Sequence, residues 1–532
     1  MTISRRDFVK AGVTAAAFAA VPRPLLVRLG RTPEPVPPID DPRLEALVAR
    51  ALDAARAAGA AYADVRLTHD RTRTIDATGA VLDAEALDVG VRALVRGYWG
   101  FAAGPVWSAD EMVRLGNEAV AQATTNALGK PRIAELASAP VVGRGHWVMP
   151  VAIDPFDVPP NEIVDLLAGL SLHATRIPGV SPGKNFCQLF TQEKAFGSTA
   201  GTYCTQRTYR TTGVFELGVE RGDRRGAGRL QGLGPEGAGW ELYRAQPLYE
   251  AIRRLVEEIE EDMALPVKPV DVGRYPTVLD ARSVARLVAQ TIGRATELDR
   301  AMGYEANAGG TSYLNDPLAM LGHHRVGAPG LTITANRSEP GGCATVAWDD
   351  DGVAPDEITL VKNGILMDYQ TTRESATWLA PYYAAHGAPV RSHGCAAAPS
   401  AVFAPLQHAP NLVMAPGARA LDFDGLVAEL GRGVAIKGAE LGMDFQCLNG
   451  FAQGRAYEVK GGKRVARIAP AGVLLRAPEL WKALRTIGGP ASAHRFGMSA
   501  TKGEPEQETF ASVTAPPALF ESLTIIDPTR KA

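Results

Sequence analysis

Between Asp41 and Ala102 the spacing of apolar residues changes from helical to alternating, and that change sets the fold class. Leu44, Leu47, Val48, Ala51, Leu52 and Ala55 fall on one helix face, and Gly59 is placed to end the helix. AYADVRL (61–67) then alternates with period two, as do Val89, Val91, Ala93 and Val95, and Arg96-Gly97 reads as a turn into YWGFA (98–102). Ser108 with Glu111 three residues on is a capping-box pattern, which predicts a helix to about Ala123. Residues 41–135 therefore read as an α+β unit.

The same mixture continues. In NEIVDLLAGLSLHATRI, Ile163, Leu166, Leu167 and Leu170 share a helix face. Long strands are predicted at 186–196 and 202–220, with a turn at 197–201. The Gly-rich 222–239 has no period and reads as a loop, either a surface connection or a mobile segment over a cleft. Leu248, Ile252, Leu255, Val256, Ile259 and Met263 mark a helix over about 247–264, closing a middle domain at 136–266. YPTVLD (275–280) is a short strand opening a C-terminal domain at 267–532, and DARSVARLVAQTIGRATELDRAMGY follows as a helical stretch. Beyond it the pattern is mainly β, with hairpins turning at Asn363-Gly364 and Gly461-Gly462.

Hydrophobic residues make up 46% and charged residues 21% of the 532, an ordinary soluble composition. A net charge of −2 gives no electrostatic reason to expect nucleic acid or an anionic membrane as a partner. Ser4-Arg5-Arg6-Asp7-Phe8-Val9-Lys10 resembles the twin-arginine export motif, and the apolar stretch Ala11–Ala20 is too short to span a bilayer. Residues 1–30 are thus expected to be a signal peptide, with Ala17-Phe18-Ala19 as a plausible cleavage site and a Pro-rich linker at 31–40. The mature protein is expected to be periplasmic or extracellular, without a stable membrane anchor. The five scattered cysteines form no CxxC pair and read as single buried thiols.

Several stretches resemble the TldD/PmbA (TldE) family in order and spacing: GVRALVRGYWGFA (90–102), DPFDVPPNEIVDLL (154–167), VLDARSVARLVAQTIG (278–293), GGTSYLNDPLAMLG (309–322), WDDDGVAPDEITLVKNGIL (348–366) and LWKALRTIGG (480–489). The resemblance implies an N-terminal α/β region and a β-rich C-terminal domain. It also implies kinship with zinc peptidases acting on peptides or unfolded chains. TldD-type subunits carry HExxxH on a helix and a C-terminal Cys as third ligand, whereas PmbA/TldE-type subunits lack these and pair with TldD. Zinc needs imidazole or thiolate donors and an open position for water, and the Glu takes that water's proton. Five residues on a regular helix turn through about 140°, too far for two ligands of one metal. A π-type widening would bring them together.

Aligned through Ile292-Gly293, the first His of the motif falls on Ala289, the Glu on Gln290 and the second His on Arg294. The Cys falls on Ala500, or on Ser499 with a slip of one, within RFGMSATKGEPEQ. A methyl group offers no donor, an amide is no base at neutral pH, and guanidinium is a permanent cation. Glu297 and Asp299 still match the acids that follow the motif, and Gly293 is expected to pack closely against a neighbouring backbone. The metal site therefore reads as degenerate, with no cofactor expected where catalytic relatives hold zinc. The partner expected from the resemblance is a TldD-type catalytic subunit, or a second copy in a homodimer, with a peptide or unfolded polypeptide as substrate. Two other readings stay open: an active zinc peptidase with relocated ligands, and a peptide binder that works alone. For relocation, none of the nine histidines lies in HExxH, and His393-Gly394-Cys395 is the most tempting pair because i and i+2 share a strand face. Asp349-Asp350-Asp351-Gly352 reads as an acidic turn between strands, since it lacks the spaced oxygens of an EF-hand loop.

Overall fold

The structure is a computed structural model that describes residues 36–127 and 133–529. The expected signal peptide at 1–30, with Arg5 and Arg6, and the start of the expected linker lie outside the described residues. Helix α1 (Pro42–Ala57) is capped by Asp41, whose carboxylate accepts from Arg43 N–H at 2.8 Å. Strands β1 (Tyr62–Asp76), β2 (Val81–Val95) and β3 (Tyr98–Gly104) follow, the last two joined through Arg96 and Gly97 at positive φ. Ser108 Oγ then accepts from Glu111 N–H at 3.3 Å and opens α2 (Ala109–Asn126).

Strands β4 (Gly145–Val148), β5 (Val180–Ser198), β6 (Tyr203–Arg221) and β7 (Arg224–Arg229) complete a seven-stranded sheet in which β1 pairs with both β2 and β5. Residues 41–135 and 136–266, read separately from the sequence, thus share one sheet.

The Gly-rich 222–239 is only partly a loop. Its first half is β7, paired with β6 beneath helix α3 (Leu248–Ala264). A Cβ at Gly226 would lie 2.5 Å from Ile259, and one at Gly228 would lie 2.9 Å from Leu255. These glycines face the helix, which is why the strand shows no apolar alternation.

The sheet has two different faces. On one, Val65, Leu67, Val89 and Val91 pack on α1 and α2, while Ile75, Leu189 and Phe215 join a second cluster on α3 and on the helix Pro160–Thr175. The other face is polar and buried, because the C-terminal domain covers it. Arg66 Nη2 donates to Phe403 O at 2.6 Å, Gln192 to Pro399 O at 2.8 Å and Gln206 to Trp348 O at 2.9 Å. Lys194 Nζ pairs with Asp350 at 2.6 Å, and Arg92 Nη2 pairs with Asp64 and Asp351 at 2.7 Å each.

Besides a two-stranded sheet that pairs 396–397 with 406–407, the C-terminal domain holds two large sheets. In one, the strands 432–443, 273–279, 518–526, 472–476 and 449–460 pair in that order, and 449–460 pairs back onto 432–443 to close the ring. The other is six-stranded, and its last two members are β8 (His494–Lys502), an edge strand, and β9 (Gln507–Ala515). The Asn363-Gly364 and Gly461-Gly462 turns have both residues at positive φ, as two-residue hairpins require. Among the described residues no helix is long and apolar enough to cross a membrane.

Candidate functional site

Helix α4 (Ala281–Val288) starts at Asp280, which accepts from Ser283 N–H at 3.0 Å, and packs against both the closed ring and β9. At Ala289 it widens. Residues Ala289–Gly293 form a π turn, in which Arg294 N–H donates to Ala289 O at 3.0 Å, five residues back. Such a turn displaces carbonyls from their usual partners, and side chains take them up here. Tyr313 OH donates to Thr291 O at 3.0 Å, and Gln370 Nε2 donates to Gly293 O at 2.6 Å. Trp481 Nε1 donates to Thr291 Oγ1 at 2.7 Å, and that hydroxyl donates to Leu287 O at 2.6 Å. Tyr313 and Trp481 come from GGTSYLNDPLAMLG and LWKALRTIGG, and Gln370 ends the hairpin 357–370. These distant stretches therefore meet at one turn.

The turn brings positions 289 and 294 to one side of the helix. Ala289, Gln290 and Arg294 are half-buried there. Arg294 Nη1 donates to Gln290 Oε1 at 3.2 Å, and Arg294 makes no ion pair among the described residues. Gly293 packs against a side chain and not a backbone, since its Cβ would lie 2.6 Å from Leu412 Cδ1. Leu412 belongs to a strand that pairs with β9, so the helix sits tightly on that sheet.

On β8, Ala500 lies opposite Thr509 and on the same strand face as Met498 and Lys502. Met498 and Lys502 are buried, yet Ala500 and Ser499 are exposed, so the strand is uncovered at the position of the third ligand. Lys502 ties this strand to the end of the helical stretch. Its ammonium donates to Glu297 Oε2 and Asp299 Oδ1 at 2.9 Å each and to Gln407 O at 2.7 Å. Burial opposes the Glu297 charge, but Lys502 and Arg300 outweigh it and hold the carboxyl at about 2. Burial pushes Asp299 up despite Lys502, and the Glu297 charge adds to the rise. The residues at the four ligand-and-base positions do not fit zinc: two methyl groups, an amide and a cation contribute no donor set.

The model of the PmbA/TldA metallopeptidase C-terminal domain matches residues 272–527, which carry the π turn, Lys502 and all but the short strand 267–268 of the C-terminal sheets. A metalloprotease of Methanocaldococcus jannaschii is 22% identical over 421 residues, covering 77% of this chain and 86% of that protein. In fold, the chain is similar to a candidate modulator of a DNA gyrase from Thermotoga maritima, with a TM-score of 0.69 and 17% identity over 91% of this chain and 100% of that one. It is also similar to TldE from Thermococcus kodakarensis, with a TM-score of 0.65 and 13% identity over 91% and 99% of the two chains. The chain belongs to the TldD/PmbA family.

Other positions singled out in the sequence lie elsewhere in this TldD/PmbA fold. His393 is not on a strand, because Gly394 at φ +73° breaks the alternation. Its imidazole sits between Asp356 Oδ1 at 3.0 Å and Asp368 Oδ2 at 3.2 Å. Cys395 is fully buried, and burial pushes its thiol up to about 12. Asp349-Asp350-Asp351 is a turn, but a buried one. Burial opposes ionisation of Asp350, yet Lys194 and Arg66 lower its carboxyl below the ordinary value. Burial pushes Asp349 up to about 7, with Asp351 adding to the rise. Lys502, Tyr313, Gln370 and Trp481 escaped the sequence reading. Of these only Lys502 left a signal, a lysine that continues the apolar parity of Phe496, Met498 and Ala500 at the end of the strand.

Proposed function

We propose that this chain is a non-catalytic, exported member of the TldD/PmbA family, of the PmbA/TldE kind. It acts with a TldD-type peptidase subunit on peptide or unfolded-polypeptide substrates. One observation carries the reading: the π turn is built and braced by three side chains, while the positions it presents are Ala289, Gln290 and Arg294, with Ala500 across from them in the motif. The scaffold of a ligand-bearing helix is kept and its donors are not. Peptide binding draws support from β8, an edge strand exposed at Ser499–Thr501, since an extended chain can add to such an edge. A binder that works alone would use the same edge.

The relocated-ligand reading has less support. Among the described residues no three or more His, Cys, Asp and Glu side chains are grouped to hold a metal ion. Affinity purification of the tagged mature chain from its host is expected to bring down a TldD-type partner with an intact HExxxH, through an interface above roughly 2,000 Å². Peptidase activity is expected only in the pair. Recovery as a monomer or homo-oligomer alone would sink the heterodimer and leave the solitary binder. Replacing Arg5 and Arg6 by Lys is expected to hold the protein in the cytoplasm, and export of that variant at wild-type level would refute the twin-arginine route.

A further inference from the structure

Among the described residues, Arg210 on β6 is a cation without a counter-charge within ion-pair distance. Its guanidinium carbon lies 4.3 Å from the ring centroid of Phe190, its pair partner on β5, and 3.7 Å from that of Phe510 on β9. The two rings make no contact with each other, as expected when a planar cation lies between them. Among the described residues no hydrogen-bond acceptor or carboxylate meets its N–H groups, although the side chain is half-buried and burial lowers its pKa. Asp70 and Glu508 are in the wider surroundings, neither within ion-pair distance of it. With both faces stacked, only the in-plane edge of the guanidinium is free. That edge presents parallel N–H donors, the geometry that matches a planar carboxylate.

The clamp borders the exposed part of β8. Phe510 is directly opposite Ser499, the residue before Ala500, so it shares the strand face of Ser499 and the third-ligand position is on the other face. We propose that Arg210, held between Phe190 and Phe510, is a binding site for the C-terminal carboxylate of a peptide lying along the exposed Ser499–Thr501 segment. The proposal rests on the peptide-binding reading above and adds to it the end of the chain that is recognised.

The test uses the full mature chain and fluorescein-labelled penta-alanine, in one form with a free C-terminal carboxylate and in another with a C-terminal amide, followed by fluorescence anisotropy. The free acid is expected to bind at least about tenfold more tightly than the amide. Arg210→Met is expected to bring the acid down to the level of the amide. That variant exchanges an unpaired cation for an apolar chain between two rings, so it is expected to unfold at or above the wild-type temperature. Arg210→Lys keeps the charge and is expected to lose most of the preference, because an ammonium lacks the planar fork. Equal binding of acid and amide would overturn the carboxylate site and leave peptide binding standing. Binding of neither would overturn both. Acetate is expected to displace the acid peptide at least as well as inorganic phosphate does. Displacement by phosphate at tenfold lower concentration would reassign the clamp to a phosphate group and overturn the proposal.

Discussion

The joint around Asp349–Asp351 and the π turn at Ala289–Gly293 are both polar sites set among apolar neighbours, and they differ in whether their charges are met. In the joint, Asp350 meets Lys194, and Arg92 meets Asp64 and Asp351, all of them buried. At the π turn three side chains brace the backbone and its Thr291 hydroxyl, but among the described residues the Arg294 guanidinium has only the neutral amide of Gln290, and Ala500 is open to solvent. Charges that are met and buried hold parts of a molecule together. A cation left beside an opening is available to something outside the chain. Polar residues in this protein therefore divide into architecture and recognition by their partners, not by their type.

The largest effect is expected in the joint. Asp350→Ala leaves Lys194 and Arg66 buried without their carboxylate, and breaking such a pair costs about 3–5 kcal/mol. A lowered denaturant midpoint would show this. A variant within about 0.5 kcal/mol of wild type would mean that the joint is no more architectural than the π turn.

Acid should reach the region behind β8 next. Burial, with Lys502 nearby, holds buried His408 down to about 3, against roughly 6.5 for a free imidazole. Below about pH 6.5 the unfolded chain takes up a proton at this residue that the folded chain refuses until about pH 3, so the contribution of His408 to stability falls across that window. Glu297 has the same sign. Its contribution is present above about pH 4.5 and fades as its own carboxyl titrates towards about 2. His408 alone contributes a slope of about 1.4 kcal/mol per pH unit between pH 6.5 and 4.5, and Asp349, held at about 7, opposes it over the same window, so the share of His408 is read as the difference between the denaturation midpoints of wild type and variant. His408→Asn should change that upper slope by about 1.4 kcal/mol per pH unit, in favour of stability at the acid end, and spare the lower part. An unchanged slope in the variant would remove His408 from the account.

A smaller loss, about 1–3 kcal/mol, is expected for Trp481→Phe, which removes the donor to Thr291 Oγ1. Hydrogen exchange should quicken in the Thr291–Thr296 segment and leave the joint unaffected. Exchange that quickens equally in both would show that the two regions open together.

The contrast also explains how much the sequence revealed. Helices α1, α2 and α3 were legible because one face is apolar and the other wet, and the Asn363-Gly364 turn because only a few residues accept two positive φ angles in succession. The polar face of β1 was misleading. Asp64, Arg66 and Thr68 alternate with Ala63, Val65 and Leu67 in the manner of a solvated face, and all six are buried, because the cover comes from residues more than two hundred positions away. β7 was missed because its glycines carry no period. At the site, the lost ligands could be located by motif alone. The bracing by Tyr313, Gln370 and Trp481 could not, because hydrogen bonds to a π turn leave no spacing rule in the sequence. Arg210 was equally silent, since its clamp joins a strand pair near position 200 to a strand near the C-terminus.

The smallest expected change in stability belongs to the variant that tests the contrast most directly. Ala289→His, Gln290→Glu, Arg294→His and Ala500→Cys together alter half-buried or exposed side chains and break no ion pair, so stability should stay within about 0.5 kcal/mol. Imidazoles at positions 289 and 294 would leave the helix on one side, because the π turn is already open and need not be created by the metal. A thiolate at position 500 would come from the uncovered part of β8. About one zinc per chain is then expected by elemental analysis, as three protein donors plus water suffice for a catalytic-type site. The same four changes in a Trp481→Phe background should hold less, since the brace on Thr291 is gone and ligand geometry depends on such supports. Zinc bound equally with and without Trp481 would show that the bracing has nothing to do with presenting these positions. A stable quadruple variant with no zinc at all would make the π turn a piece of architecture like the joint, and the distinction between the two regions would fall.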